Sequence, residues 1–478
     1  MYIYDTFTQT KKELKNPGRK ILKLFVCGPT VYDYSHIGHA RTYIVFDAFV
    51  KYLRSQKFNV FYLQNITDVD DKIITRAKER KINPLSLARE FEKKYLGDIK
   101  KLKITSVNKY ARASEHINEI QKQIKTLIKN GFAYQTKSGV YFEVKKFKDY
   151  GKLSKQNLNE LKSGTRIESE KDKKNVLDFA LWKTHEASDI INQKLNKQKF
   201  IITKSGEPLW QSPWGWGRPG WHIEDTAITE KYLGAQYDIH GGGNDLKFPH
   251  HEAEIAQQES ASGKKPLVKV WMHTGFLLVE GEKMSKSLNN FITINDFLKN
   301  HSPEVLRLMV LFNHYRSPFN YTEHMAEQTE KSLKTITDFF TKLEFVASKK
   351  INTSKLNLKD ALNDFENNFY QGLEDDFNTP KALASIFDFI STLQKTIWQI
   401  TPKQSKDIKK SLEIKLKNFD ISFKSAKIPV KITDLTKKRE ICRESKQFIQ
   451  SDALRKEIEM LGYLLEDTPL GPYVRKNF

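Results

Sequence analysis

Two short strings carry the residue types of a phosphate-handling enzyme: His36-Ile37-Gly38-His39, and Lys283-Met284-Ser285-Lys286-Ser287. Imidazoles at a helix start can donate ring N–H groups to phosphoryl oxygens, where the helix terminus itself favours negative charge. Gly38 lets adenine and ribose come close to the backbone. Lys283 and Lys286, on a loop held by Ser285 and Ser287, can close over a triphosphate and neutralise departing pyrophosphate. Displacement at an α-phosphate builds charge on its oxygens, and one fixed donor aimed there is worth roughly 3 kcal/mol. Each string alone has a plain alternative, a helix start with a buried histidine or a solvated basic loop. Together they point to ATP, with Mg2+ as its companion.

The elements that must position these strings are legible around them. Leu22 to Val26 is an apolar run, followed by a Gly-Pro turn, a helical pattern through Tyr43, Phe46, Ala48, Phe49 and Leu53, and a second apolar run from Val60 to Leu63. Strand, turn, helix, strand is the opening of a parallel nucleotide-binding sheet, with the first string at the helix start. Further on, Gly241-Gly242-Gly243 with Asp245 could bring backbone to the nucleotide and a carboxylate to its ribose hydroxyls; a plain glycine-rich turn is the alternative.

The order of the two strings resembles the signature of class I aminoacyl-tRNA synthetases. Their surroundings narrow the match. Phe25-Val26-Cys27-Gly28-Pro29-Thr30-Val31-Tyr32-Asp33 leads into the first string, and Asn65-Ile66-Thr67-Asp68-Val69-Asp70-Asp71-Lys72-Ile73 follows it. Then come Pro219-Gly220-Trp221-His222-Ile223-Glu224, Asp238-Ile239-His240-Gly241-Gly242-Gly243-Asn244-Asp245 and Phe248-Pro249-His250-His251-Glu252-Ala253-Glu254. With these blocks the chain resembles the cysteinyl-tRNA synthetase family over nearly its full length.

The resemblance implies that L-cysteine and ATP give cysteinyl-adenylate, and that the cysteinyl group passes to tRNA(Cys). It assigns Gly28, Thr67 and Trp221 to the cysteine pocket, although Trp221 could equally be core. It also implies a zinc ion that binds the substrate thiolate and so rejects serine without editing, since zinc prefers a soft thiolate to a hydroxyl. The matching ligand positions are Cys27, Asp225, His250 and Glu254. His250 and Glu254, four apart, would share one helix face. The family usually has a second cysteine where this chain has Asp225, which exchanges a soft sulfur for a hard oxygen. Three readings stay open: zinc on one sulfur, one nitrogen and two carboxylates; zinc only when substrate adds a second sulfur; or no metal, with Asp225 meeting the substrate.

The expected architecture is α/β: a Rossmann-like parallel-sheet catalytic domain with an insertion, then a helical bundle and a small C-terminal anticodon-binding module. The catalytic domain is placed at 1–116 and 201–260, the connective insertion at 117–200, and the lysine-loop region at 261–316. The bundle follows at 317–402, marked by Leu333, Ile336, Phe340 and Leu343, then Leu383, Ile386, Phe387, Ile390 and Leu393 at helical spacing. Residues 403–478 read as a basic linker and the anticodon module. The stretch from Thr184 to Lys204 exceeds what the family leads one to expect, and suggests a surface loop or hairpin.

A chain of 478 residues invites roughly two to four domains. With two cysteines, no long apolar stretch and no signal-peptide pattern at its start, it is expected to be cytoplasmic and without membrane contact. It is also expected to be a monomer. A net charge of +22 suits a polyanionic partner but is equally the product of a Lys-rich composition. Near the end, Arg439, Arg443, Asp452 and Arg455 are candidate tRNA contacts, against the ordinary view of a solvated helix face. Tyr473 could stack on a base or pack in a core. The rivals are a related ligase passing activated cysteine to an amino sugar, which would need no anticodon module, and a non-catalytic tRNA-binding paralogue, which would need neither string.

Overall fold

The computed structural model describes residues 1–156, 172–185, 199–203, 206–284, 288, 290–350, 356–423 and 427–477. The chain divides into two compact units, the first comprising Met1–Pro303 with Tyr315–Asn320, the second Glu304–His314 with Tyr321–Phe478. The boundary is therefore crossed more than once, in contrast to the single break expected after residue 316.

The first unit is built on a parallel sheet of β1 (Leu22–Val26), β2 (Val60–Ile66), β3 (Lys109–Arg112), β4 (Tyr237–Gly243) and β5 (Val268–Thr274). Their order is β5-β4-β1-β2-β3. Leu24, Phe25 and Val26 are wholly buried, as an unbroken apolar run must be when both sheet faces are covered. Helix α1 (Ile37–Ser55) crosses from β1 to β2. At β1 and β4 the chain order turns outward in opposite directions, and the crevice above their carboxyl ends is where such sheets bind ligands. Cys27 and Gly28 lie just beyond β1, and Gly241–Gly243 close β4.

Three further helices, α2 (Ile117–Lys129), α3 (Ile223–Leu233) and α4 (Glu252–Ser262), are bolted together by buried Gln123. Its side chain accepts from Thr226 Oγ1 at 2.7 Å and donates to Gln258 at 2.5 Å. Helix α2 thus belongs with the catalytic core rather than with the insertion expected from residue 117. The insertion itself is a six-stranded sheet whose strands span Ala133–Gln135 through Gly217–Pro219, so it extends past the expected limit at 200. One hydrophobic core runs through both sheets, joining Phe25, Leu63, Ile124, Trp182, Ile228 and Trp271. Of the extra stretch between Thr184 and Lys204, residues 186–198 and 204 lie outside the described residues; Phe200–Ile202 is an edge strand paired with Pro208–Trp210.

The second unit is helical. Glu323–Ala347, Lys359–Glu374 and Thr379–Gln394 bury Ile336, Phe340, Leu343, Phe365, Leu383 and Ile386. A further helix, Pro402–Lys417, occupies the expected linker and starts with a capping box between Thr401 and Gln404. The terminal module is a pair of helices, Val430–Glu444 and Phe448–Met460, with the hairpin Tyr463–Thr468 and Gly471–Lys476 around Ile432, Leu435, Ile458 and Leu465. Tyr473 is buried against Phe345 and Trp398, with its hydroxyl on Thr341, which decides for core packing. Among the described residues no helix is long and apolar enough to cross a membrane.

Candidate active site and metal centre

His36 is the N-cap of α1, and its Nδ1 accepts from the backbone N–H groups of Gly38 and His39 at 3.1 and 3.4 Å. His39 Nδ1 reciprocates from N3, accepting from the His36 N–H at 3.3 Å. A nitrogen that accepts a hydrogen bond carries no proton, so each cap fixes its neutral imidazole as the tautomer protonated at Nε2. The rings stack at 3.7 Å. Burial, and next the Lys72 charge, lowers the His39 pKa to about 4, so His39 stays neutral at pH 7. Two N–H donors thereby lie at the positive end of a 19-residue helix. The adjoining cleft is lined by Pro29, Tyr32, His36, His39 and Phe291.

The lysine string reaches this helix. Leu277–Val279 and Glu282–Lys283 form a hairpin, and the methyl of Met284 lies 3.5 Å from where a Cβ on Gly38 would sit. On the far side of the string, Phe291 meets His36 edge-on at 5.3 Å, Ile37 N donates to Ile292 O at 3.1 Å, and Ile294 N donates to Ser35 O at 2.9 Å. Lys283 is exposed; Lys286 lies outside the described residues. Arg41, also on α1 and 2 % exposed, holds the base of the hairpin. Its guanidinium donates to the carbonyls of Gly275 and Phe276 at 2.7 and 2.6 Å, of Tyr315 at 3.3 Å, and of Ser317.

Gly241-Gly242-Gly243 is strand rather than turn, and packing explains its first two members. A Cβ on Gly241 would fall 2.3 Å from the Phe46 ring, and one on Gly242 2.9 Å from the His251 ring. Gly243 is half-buried and Asp245 exposed beyond the strand end.

Cys27, Asp225, His250 and Glu254 converge at the ends of β1, α3 and α4, with one donor atom of each within 4.8 Å of the others and all four side chains buried. His250 Nε2 lies 3.0 Å from Asp225 Oδ2 and 3.1 Å from Glu254 Oε1, which is 3.8 Å from Cys27 Sγ. Burial, then the Glu254 and Asp225 charges, pushes the Cys27 thiol well above its ordinary pKa, and burial does the same to the Glu254 carboxyl. Asp225 Oδ1 and Glu254 Oε2 have no hydrogen-bond partner among the described residues. A thiol and two carboxylates brought together in a buried site, with lone pairs left over, fit a cation.

The expected cysteine-pocket residues border this centre. Gly28 N donates to Asn65 Oδ1 at 2.5 Å, and a Cβ there would strike Asn65 O at 1.8 Å. Thr67 is buried and donates to Glu224, the neighbour of Asp225. Trp221, 39 % exposed, stacks on His250 at 4.4 Å. Sequence reasoning missed His240 and His251, whose Nε2 atoms lie 3.4 and 3.2 Å from Cys27 Sγ. It also missed Arg41, for which no local signal exists.

In the terminal module one expectation is corrected. Arg439 is 2 % exposed and doubly bonded to Asp467 at 2.7 and 2.8 Å, so it holds the hairpin to its helix and is not a surface contact. Arg443 also pairs with Asp467, at 2.5 Å, but is 42 % exposed; Asp452 is exposed, and Arg455 bonds Glu459 at 3.2 Å and Leu465 O at 3.1 Å.

Residues 13–331 match the family model of the tRNA synthetases class I (C) catalytic domain, and residues 368–419 match the DALR domain. The chain is 43 % identical to a cysteine–tRNA ligase of Thermococcus gammatolerans, over 98 % of both chains. It is 44 % identical to one of Methanococcus maripaludis, over 98 % of this chain and 97 % of that one. One from Caldicellulosiruptor saccharolyticus is 41 % identical over the whole of both. Among solved structures, Mycobacterium tuberculosis methionyl-tRNA synthetase in complex with methionyl-adenylate superposes with a TM-score of 0.60 at 15 % identity, covering 84 % of this chain and 89 % of that one, a likeness of fold.

Proposed function

The chain belongs to the cysteine–tRNA ligase family of class I aminoacyl-tRNA synthetases, ATP-dependent enzymes that charge tRNA with cysteine, and from that premise we propose how its residues divide the work. In activation, a cysteine carboxylate oxygen bonds to the ATP α-phosphorus while the bond from that phosphorus to the bridging oxygen breaks and pyrophosphate leaves. His36 and His39 donate their Nε2 protons in hydrogen bonds to the phosphoryl oxygens as charge grows there. Gly38 admits the nucleoside, Gly243 and Asp245 border its ribose, and Lys283 and Lys286 neutralise the leaving group, with Mg2+ on the triphosphate. A terminal ribose hydroxyl of tRNA(Cys) then attacks the carbonyl carbon, and AMP departs.

Gly28, Thr67 and Trp221 enclose the cysteine. Cys27, Asp225, His250 and Glu254 would hold zinc, which when bound would supply a soft Lewis acid favouring thiolate over hydroxyl. Arg443, Asp452 and Arg455 contact the tRNA. We place the enzyme in the cytoplasm as a monomer. The relatives favour tRNA charging over the amino-sugar and non-catalytic alternatives.

The observation that carries this reading is that Met284 and Phe291, on either side of Lys286 in sequence, reach the start of α1, Met284 at Gly38 and Phe291 at His36. Its test is cysteine-dependent exchange of labelled pyrophosphate into ATP. His36→Asn and Lys283→Ala should each lower the rate by roughly 100-fold or more. Unchanged exchange in both would overturn the assignment.

A further inference from the structure

Cys27 and Glu254 belong to two four-donor groups at once. One is completed by Asp225 and His250, the other by His240 and His251, and all four donors of the second group also lie within 4.8 Å of one another. On this inner side Cys27 Sγ is 3.2 Å from His251 Nε2 and 3.4 Å from His240 Nε2, and Glu254 Oε1 is 4.0 Å from His251 Nε2. Tetrahedral zinc with ordinary bond lengths has sulfur-to-nitrogen edges of about 3.5 Å. Both imidazoles are held from behind, His240 Nδ1 by the Tyr237 hydroxyl at 2.7 Å and His251 Nδ1 by His273 Nε2 at 2.8 Å. That is the outer-sphere support that orients a metal-binding histidine.

We propose that the two groups are overlapping seats for one zinc ion, and that in this chain the inner seat, Cys27–His240–His251–Glu254, holds it while no cysteine is bound. The proposal rests on the zinc reading above and adds to it. Donor chemistry favours the inner seat: one sulfur, two imidazole nitrogens and one carboxylate suit zinc better than the one sulfur, one nitrogen and two carboxylates that Asp225 leaves outside. The outer seat includes His250, on which Trp221, 39 % exposed, stacks, and an arriving cysteine thiol there could add the sulfur that Asp225 does not supply.

X-ray absorption at the zinc edge of the zinc-loaded full chain tests this without reference to activity. Substrate-free protein should show one sulfur and two imidazoles, and Asp225→Cys two sulfurs and one imidazole. His240→Gln should weaken substrate-free zinc affinity by roughly tenfold or more, and His250→Gln by less than about threefold. Should His240→Gln fail to fold, the imidazole count of the unmodified chain decides alone. Bound zinc with a single imidazole in substrate-free protein overturns the inner seat while leaving the zinc reading intact; no zinc in either the unmodified chain or Asp225→Cys overturns both.

Discussion

Replacing Gly38 with alanine should separate catalysis from stability. The new Cβ would lie 2.8 Å from His36 Nδ1 and 2.9 Å from its Cε1, so the ring must swing aside by a few tenths of an ångström. A ring at the end of a side chain can move cheaply, but moving it weakens the cap that it makes to Gly38 and His39. Loss of an N-cap costs about 1 kcal/mol. Alanine in place of glycine near the start of α1 returns up to about 1 kcal/mol of helix propensity. The two nearly cancel, and Tm should stay within about 3 °C. Catalysis has no such compensation: a donor displaced from a developing phosphoryl charge forfeits about 3 kcal/mol, or roughly a hundredfold and more in rate. Gly38→Ala should therefore retain its melting curve and lose cysteine-dependent pyrophosphate exchange by that factor. Exchange within about threefold of the unmodified enzyme would refute the claim that the capped His36 ring is aimed at the α-phosphate; a Tm fall beyond 10 °C would refute the claim that the ring yields cheaply.

Six other variants have expected outcomes. Cys27→Ser should lose zinc by metal analysis and lose discrimination against serine in the exchange assay, and Asp225→Cys should bind zinc more tightly than the unmodified chain in chelator competition. Arg41→Ala, which strips a buried cation from its backbone carbonyls, should cost about 3–5 kcal/mol in urea unfolding. Because the folded His39 pKa of about 4 lies below the ordinary 6.5, His39 contributes stability that is complete above pH 6.5 and is lost as pH falls towards 4, with a slope of up to about 1.4 kcal/mol per unit that His39→Asn should remove. Arg439→Ala should unfold the terminal module locally, seen as faster amide exchange in Tyr463–Thr468, whereas Arg455→Ala should weaken tRNA binding with a shallower salt dependence.

What could be read from residue order was set by how local each cause is. The His36–His39 string, its position at a helix start and the parallel sheet beneath it depend on neighbours in sequence, and all are found. The centre around Cys27 was legible because His250 and Glu254 stand four apart and the remaining positions lie in short blocks that resemble a known family. His240 was not, since in Asp238-Ile239-His240-Gly241 it looks like any inward strand residue, and only the fold brings it 3.4 Å from Cys27. His251 sits beside His250, and in a helix adjacent residues point apart, which hid a second set of donors. The helix at Pro402–Lys417 was obscured by its lysines, although Thr401 and Gln404 announce its cap and Ile408, Leu412 and Leu416 keep a four-residue step. Arg439 looked like part of a basic strip because its partner, Asp467, lies on a distant hairpin.

The grip of Arg41 on the segments at Gly275–Phe276 and Tyr315–Ser317 has a practical corollary for anyone wishing to graft or redesign this catalyst. The hairpin that bears Lys283 is not a detachable module: its footing is shared with the very helix whose cap orients the imidazoles, so shortening, lengthening or exchanging it obliges the engineer to carry the 315–317 segment along, or to rebuild a cationic clamp for the carbonyls left behind.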